Sequence, residues 1–183
     1  MAALNATGRV APEPRDLTTF SGAPLPLSLD GPASIFRLLG TWKDLTTGQK
    51  ARSNPFGAFW FSRSVIDVLR EDFIDANYSG DARPPGQSLI RNVREGLAVS
   101  YEWNSFDTLI EMAIPAGASI EAWSGLTEWQ LEYQSKPTGR LLSGGLVQYL
   151  VYDVARVPSA MLKQKPLGQL WAQFSRQMPA RPL

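Results

Sequence analysis

The sequence predicts an α+β domain: a mainly antiparallel sheet with helices packed after its second strand. Three observations lead there. Short apolar runs bounded by glycine, proline or polar residues recur at 35–40, 55–62, 109–114, 119–123 and 146–152, as strands do. Between the second and third of these, apolar residues return at steps of four, the spacing of one helix face. The resulting order, two strands, two helices and three strands, groups the helices against a sheet rather than alternating them with it.

Composition bounds the chemistry. With 183 residues, 44% of them hydrophobic and 19% charged, the chain is long enough to bury one full core. Eighteen basic residues against seventeen acidic leave a net charge of +1, so no broad field draws in nucleic acid or an anionic membrane. Cysteine and histidine are both absent from the sequence. That excludes thiol nucleophiles, disulfides, zinc held by thiolate or imidazole, and any histidine base. Catalysis is left to carboxylates, amides, hydroxyls, arginines and aromatics, or to a hard cation held by oxygen. Residues 1–29 show no cationic and apolar secretory signal, and no segment approaches the ~20 apolar residues of a membrane span.

Residues 1–33 carry Pro12, Pro14, Pro24, Pro26 and Pro32 among small and polar residues and read as an irregular, proline-rich N-terminal arm. After the turn Asp30-Gly31-Pro32, the strand Ile35-Phe36-Arg37-Leu38-Leu39 holds one charge, at Arg37. Such an arginine either packs its stem at a sheet edge with its head in water, or serves as a planar donor to phosphate or carboxylate. Segment 55–62 then crowds in Phe56, Phe59, Trp60 and Phe61, as core packing or as a cleft wall for a planar heterocycle. Ser62 or Ser64 caps the first helix, Ser64 and Asp67 being spaced as a capping box, and Val65, Leu69 and Phe73 form its buried stripe.

Residues 77–87 read as a loop. Leu89, Val93 and Leu97 mark a second helix over residues 87–98, with Arg91, Arg94 and Glu95 on its solvated face. Ile110, Met112 and Ile114 share one face of the next strand, which Pro115-Ala116-Gly117-Ala118 turns into a return strand over 119–123. Residues 125–143 are the least regular, with Glu128, Gln130 and Glu132 around Trp129. The run Leu146-Val147-Gln148-Tyr149-Leu150-Val151-Tyr152 is the strongest strand signal, and it follows Gly144-Gly145, which admit positive φ and close approach of a ligand to the backbone. Gln148 interrupts that apolar run. Its amide is either satisfied by neighbouring backbone or opens on a pocket. Residues 158–183 read as a C-terminal extension in which 167–178 suit an amphipathic helix, Leu170, Trp171 and Phe174 inward.

Four segments in this order resemble the ADP-ribosyltransferase-like fold of bacterial toxin and effector domains. They are Ile35-Phe36-Arg37, Gly57-Ala58-Phe59-Trp60-Phe61-Ser62, Ile114-Pro115-Ala116-Gly117 and Gly144-Gly145-Leu146-Val147-Gln148-Tyr149, spanning about residues 34–154. The resemblance implies a domain over residues 34–157 that takes NAD as substrate and needs no metal. In it Arg37 is the nucleotide anchor, Trp60 and Ser62 the nicotinamide-side wall, Gly145 a cofactor-binding backbone position and Gln148 the catalytic amide. It further implies an NAD(+) glycohydrolase toxin or effector, secreted by a specialised route or delivered into a target-cell cytoplasm. A cognate immunity protein is the partner that goes with it.

The implied chemistry suits a chain without histidine. Nicotinamide leaves as a neutral molecule from a pyridinium, and a glutamine carbonyl near the ribose hydroxyls steadies the oxocarbenium-like charge that develops. Water as nucleophile makes a glycohydrolase; a protein or nucleic-acid group makes an ADP-ribosyltransferase. Enzymes that modify side chains usually carry a second acidic or amide residue two positions before the late-strand one, and here Leu146 stands there. A literal Gln-x-Glu occurs at Gln130-Leu131-Glu132, so Glu132 is the catalytic candidate of the transferase reading. In the competing, non-catalytic reading the chain is a structural or binding protein in which Arg37 is a surface residue and Gln148 a satisfied core amide.

Overall fold

The computed structural model describes residues 2–5, 10–43, 49–78, 90–99, 104–131 and 139–177. Its centre is a sheet in the order β1-β8-β11-β6-β3-β7-β12, with β2 also paired to β8. These strands are β1 (Ala2–Ala3), β2 (Leu25–Asp30), β3 (Ala33–Leu39), β6 (Phe59–Phe61), β7 (Thr108–Ile114), β8 (Ala118–Leu126), β11 (Val147–Leu150) and β12 (Leu162–Pro166). Two short hairpins, β4 (Thr41–Lys43) with β5 (Lys50–Arg52) and β9 (Gln130–Leu131) with β10 (Leu141–Leu142), lie off it. Within the sheet only the β1–β8 pair is parallel. The fold class is therefore α+β with a mostly antiparallel sheet.

Chain reach dictates the shape of that sheet. β7 and β8 are joined by Pro115, Ala116 and Gly117 yet are separated in the order by β3, β6 and β11. Laid flat, four strand spacings come to about 19 Å, whereas a link of four residues reaches at most ~14 Å. The sheet must bend. Its halves close over a core of Ile35, Leu39, Trp60, Ile110, Met112, Ile120 and Val151. The expected hairpin between residues 109–114 and 119–123 is thereby corrected: the turn is there, with the Ala118 N–H donating to the Pro115 carbonyl at 3.1 Å, but β8 crosses to the other half of the sheet instead of pairing with β7. The β2-to-β3 link makes the same step beside it, held by a 2.9 Å bond from the Gly31 N–H to the Ala118 carbonyl.

Helices cover the opposite face, over Phe36, Leu38, Phe61 and Leu109. They are α2 (Ser64–Tyr78), α3 (Arg91–Leu97) and α4 (Leu167–Gln177), preceded in the chain by the single turn α1 (Pro14–Leu17). The stripe Val65, Leu69 and Phe73 of α2 is buried as its spacing predicts. On α4 Leu170 and Phe174 are buried, and Trp171 stacks on Phe73 at 5.8 Å between ring centroids. Asp72 of α2 accepts from the Asn92 and Val93 N–H groups at 3.0 and 3.1 Å, satisfying orphan donors at the start of α3 from a neighbouring helix. Burial pushes the Asp72 carboxyl up from its ordinary value. Arg94, expected on a solvated face, is 1% exposed; it donates to the Val99 and Asn104 carbonyls and its guanidinium lies over the Phe106 ring.

Neither terminus is an appendage. Residues 1–33 contribute β1, α1 and β2, two of these being strands of the sheet; Pro14 starts α1, where its missing N–H would be unused, and Pro26 sits within β2 opposite Trp123. Residues 158–183 supply β12, which closes the far edge on β7, as well as α4. Among the described residues no helix is long and apolar enough to cross a membrane.

Candidate functional site

The site follows from strand register. Gln148 of β11 stands opposite Phe61 of β6, and Phe61 stands opposite Phe36 of β3. Facing side chains in register share a side of the sheet. Phe36 and Phe61 belong to the helix-side core, so Gln148 points to the helices. Tyr149 stands opposite Trp60, and both belong to the core between the sheet halves. On the helix side the sheet leaves a cleft of about 160 Å3, lined by Thr19, Phe59, Phe61, Leu97, Ala98, Val99, Glu128, Gln130 and Gln148.

The Gln148 amide is 5% exposed and asymmetrically satisfied. Its Nε2 donates to Thr19 Oγ1 at 2.9 Å and approaches the Thr19 carbonyl at 3.5 Å. Its Oε1 accepts no hydrogen bond among the described residues. Glu128 is the ionisable residue of the lining, with one carboxylate oxygen accepting the Trp129 N–H at 2.9 Å. The C-terminal end of α3 borders the cleft, and there Ala98 adopts left-handed backbone at φ 48°. A cleft with these walls offers aromatic faces and acceptors, and no cation lines it among the described residues.

The glycine turn beside it is fully used by the protein. Gly144 and Gly145 adopt φ 72° and 97°, as expected of them. Their N–H groups donate to the Glu95 carbonyl at 3.0 Å and to the Thr127 carbonyl and hydroxyl at 3.1 and 2.8 Å. The Gly145 N–H is thus committed to Thr127, while the space beside its Cα stays open.

Arg37 does not share the cleft with Gln148. It alternates with Phe36 and Leu38 on β3, so it lies on the side of Ile35 and Leu39, across the sheet from the amide. There Nη1 donates to the Phe59 carbonyl at 2.5 Å, the head packs on Gly57, and Nε has no partner among the described residues. Burial holds the guanidinium down to about 10. Guanidinium and amide therefore lie on opposite faces of the sheet, and among the described residues Arg37 does not reach the cleft in which it was expected as nucleotide anchor.

The aromatic segment supplies the wall through its other face. Trp60 is wholly buried, its Nε1 donating to the Gly57 carbonyl at 2.9 Å, and Ser62 pairs with Ser64 at 2.5 Å between hydroxyls. Neither lines the cleft; Phe59 and Phe61, one place to either side of Trp60, do. A one-residue change of facing inverts every side chain on a strand. Gln130 reaches the lining, while Glu132 lies outside the described residues. Thr19 and Glu128 were invisible as site residues, since only the path of the N-terminal segment and of the β8–β9 connection brings them to Gln148. Comparison with protein-family models, with curated proteins and with solved structures found no match for this chain.

Proposed function

We propose that the cleft around Gln148 receives the nicotinamide end of NAD and that the protein cleaves the nicotinamide–ribose bond as an NAD(+) glycohydrolase. The observation that carries this is the Gln148 carbonyl, without a partner among the described residues, at the edge of a ring-sized cleft with two phenylalanine walls. Size speaks for one ring rather than a whole dinucleotide: an apolar cavity of about 150 Å3 takes a single benzene ring. Charge speaks for the pyridinium end, because Glu128 and the rings favour a cation and would repel a phosphate. In this reading the rings hold the pyridinium and Glu128 screens its charge. Gln148 Oε1 meets the ribose hydroxyls, where it stabilises the positive charge that grows as neutral nicotinamide departs. Water then adds to the ribosyl carbon and the proton it loses passes to solvent. The four segments that carry the resemblance to ADP-ribosyltransferase-like domains lie on neighbouring strands or on the link between β7 and β8, which supports the same reading.

The displaced position of Arg37 favours a second reading, a binding module without NAD chemistry, since no cation among the described residues stands ready for the phosphates within the cleft. One assay separates the two. Purified protein with NAD should release nicotinamide and ADP-ribose, and Gln148→Ala should lower that rate on the order of 100-fold. Label retained on an added protein or nucleic acid instead of free ADP-ribose assigns the transferase alternative. A folded native chain that leaves NAD intact removes the enzymatic reading.

A further inference from the structure

We infer that Thr19, on the N-terminal segment, is the positioning residue that holds the Gln148 carbonyl toward the cleft; this rests on the reading of Gln148 as the group that meets the ribose. The hydrogen bonds run in one direction only. Thr19 Oγ1 donates its single proton to the Asp16 carbonyl at 2.7 Å, so toward Gln148 it can only accept. Gln148 Nε2 meets that need at 2.9 Å, and the Thr19 carbonyl at 3.5 Å is a second acceptor at the same end of the amide. Turned over, the amide would set its own oxygen against two acceptors with no proton between them, the arrangement that costs most in a buried site. Oε1 is therefore kept away from Thr19.

The segment that bears Thr19 is fixed in turn. The Tyr152 hydroxyl donates to Asp16 Oδ2 at 2.6 Å and accepts from the Glu13 N–H at 3.0 Å. Trp123 Nε1 donates to the Val10 carbonyl at 2.8 Å. Phe20, 4% exposed, bridges to Thr127 and fills the space above Gly125, the residue in register with Gln148; a Cβ on Gly125 would lie 2.6 Å from the Phe20 ring. Residues 10–20 thus hold Thr19, their member in the lining of the cleft, next to the amide it orients.

The test compares Thr19→Val, close in shape but unable to accept, with Thr19→Ser, which keeps the hydroxyl. In the native chain the Gln148 side-chain amide protons, identified by their loss in Gln148→Ala, should exchange slowly with solvent. Thr19→Val should speed that exchange about tenfold or more and lower kcat for nicotinamide release about tenfold, with KM for NAD within about twofold. Thr19→Ser should hold both close to native. Thr19→Ala, which adds no bulk, serves the same comparison if the valine variant does not fold. A folded Thr19→Val or Thr19→Ala chain with native amide exchange, or with native kcat, overturns the inference. A native chain that cleaves no NAD defeats the functional proposal alone, and the exchange measurement still decides the positioning role.

Discussion

Arg37 and Gln148 are both polar side chains set into apolar strands of one sheet, with only β6 between their strands, yet they sit in opposite surroundings. Arg37 lies on the inner side of the bent sheet and ties its head to the Phe59 backbone; Gln148 lies on the helix side and leaves its carbonyl open to a cleft. The comparison teaches that a polar interruption in an apolar strand marks a constraint but not its kind. A largely desolvated cation with one hydrogen bond among the described residues behaves as a structural strut whose removal with matched shape costs little, because its desolvation is relieved at the same time. A half-satisfied amide on a cleft has a free acceptor to offer a ligand.

The largest contrast should appear in activity. Against the expected loss in Gln148→Ala, Arg37→Met should release nicotinamide within about threefold of the native rate, and unfold in urea within about 1 kcal/mol of it. A collapse of turnover in a folded Arg37→Met chain would restore Arg37 as an anchor and break the comparison. Next comes the packing on the inner side. Gly57→Ala places a methyl against the Arg37 head and should cost about 1–3 kcal/mol in a urea melt, most of it recovered in the Gly57→Ala, Arg37→Met double variant. Additive losses would mean that the guanidinium moves aside freely.

The two faces of β6 give a finer version of the test. Trp60→Phe removes the bond to the Gly57 carbonyl and should lower stability by about 1–3 kcal/mol without altering KM for NAD. Phe59→Leu should do the reverse, raising KM severalfold through the lost ring face while unfolding near the native midpoint. The smallest effect lies in the pin on the N-terminal segment. Burial and then the bond to Asp16 push the Tyr152 hydroxyl up to about 12. Its folded value exceeds the unfolded one near 10, so its contribution is complete below about pH 10 and is lost as the pH rises through about 12. Tyr152→Phe should therefore trail the native chain by about 1 kcal/mol near neutral pH, with the gap closing across that alkaline window in urea melts.

What was legible in the chain was local. The α+β class, the buried stripe of α2, the inward face of α4, the positive φ of Gly144 and Gly145, and the oddity of Gln148 all rest on spacings of two, three or four residues, which neighbouring backbone geometry enforces. The aromatic run at 56–61 stands out in the sequence, but the choice between Trp60 and its neighbours Phe59 and Phe61 was not there to be made, since strand alternation defines two faces without saying which one meets the cleft. Register across β3, β6 and β11 made that choice, and it also parted Arg37 from Gln148. Composition alone marked residues 1–33 as an arm, because prolines hide pairing potential from any local pattern; only the tertiary path of that segment set Thr19 against Gln148. The sequence by itself determined which residues alternate and which repeat helically. The tertiary structure decided which alternating face is inside, because burial depends on partners that lie far along the chain and on a sheet that has to bend.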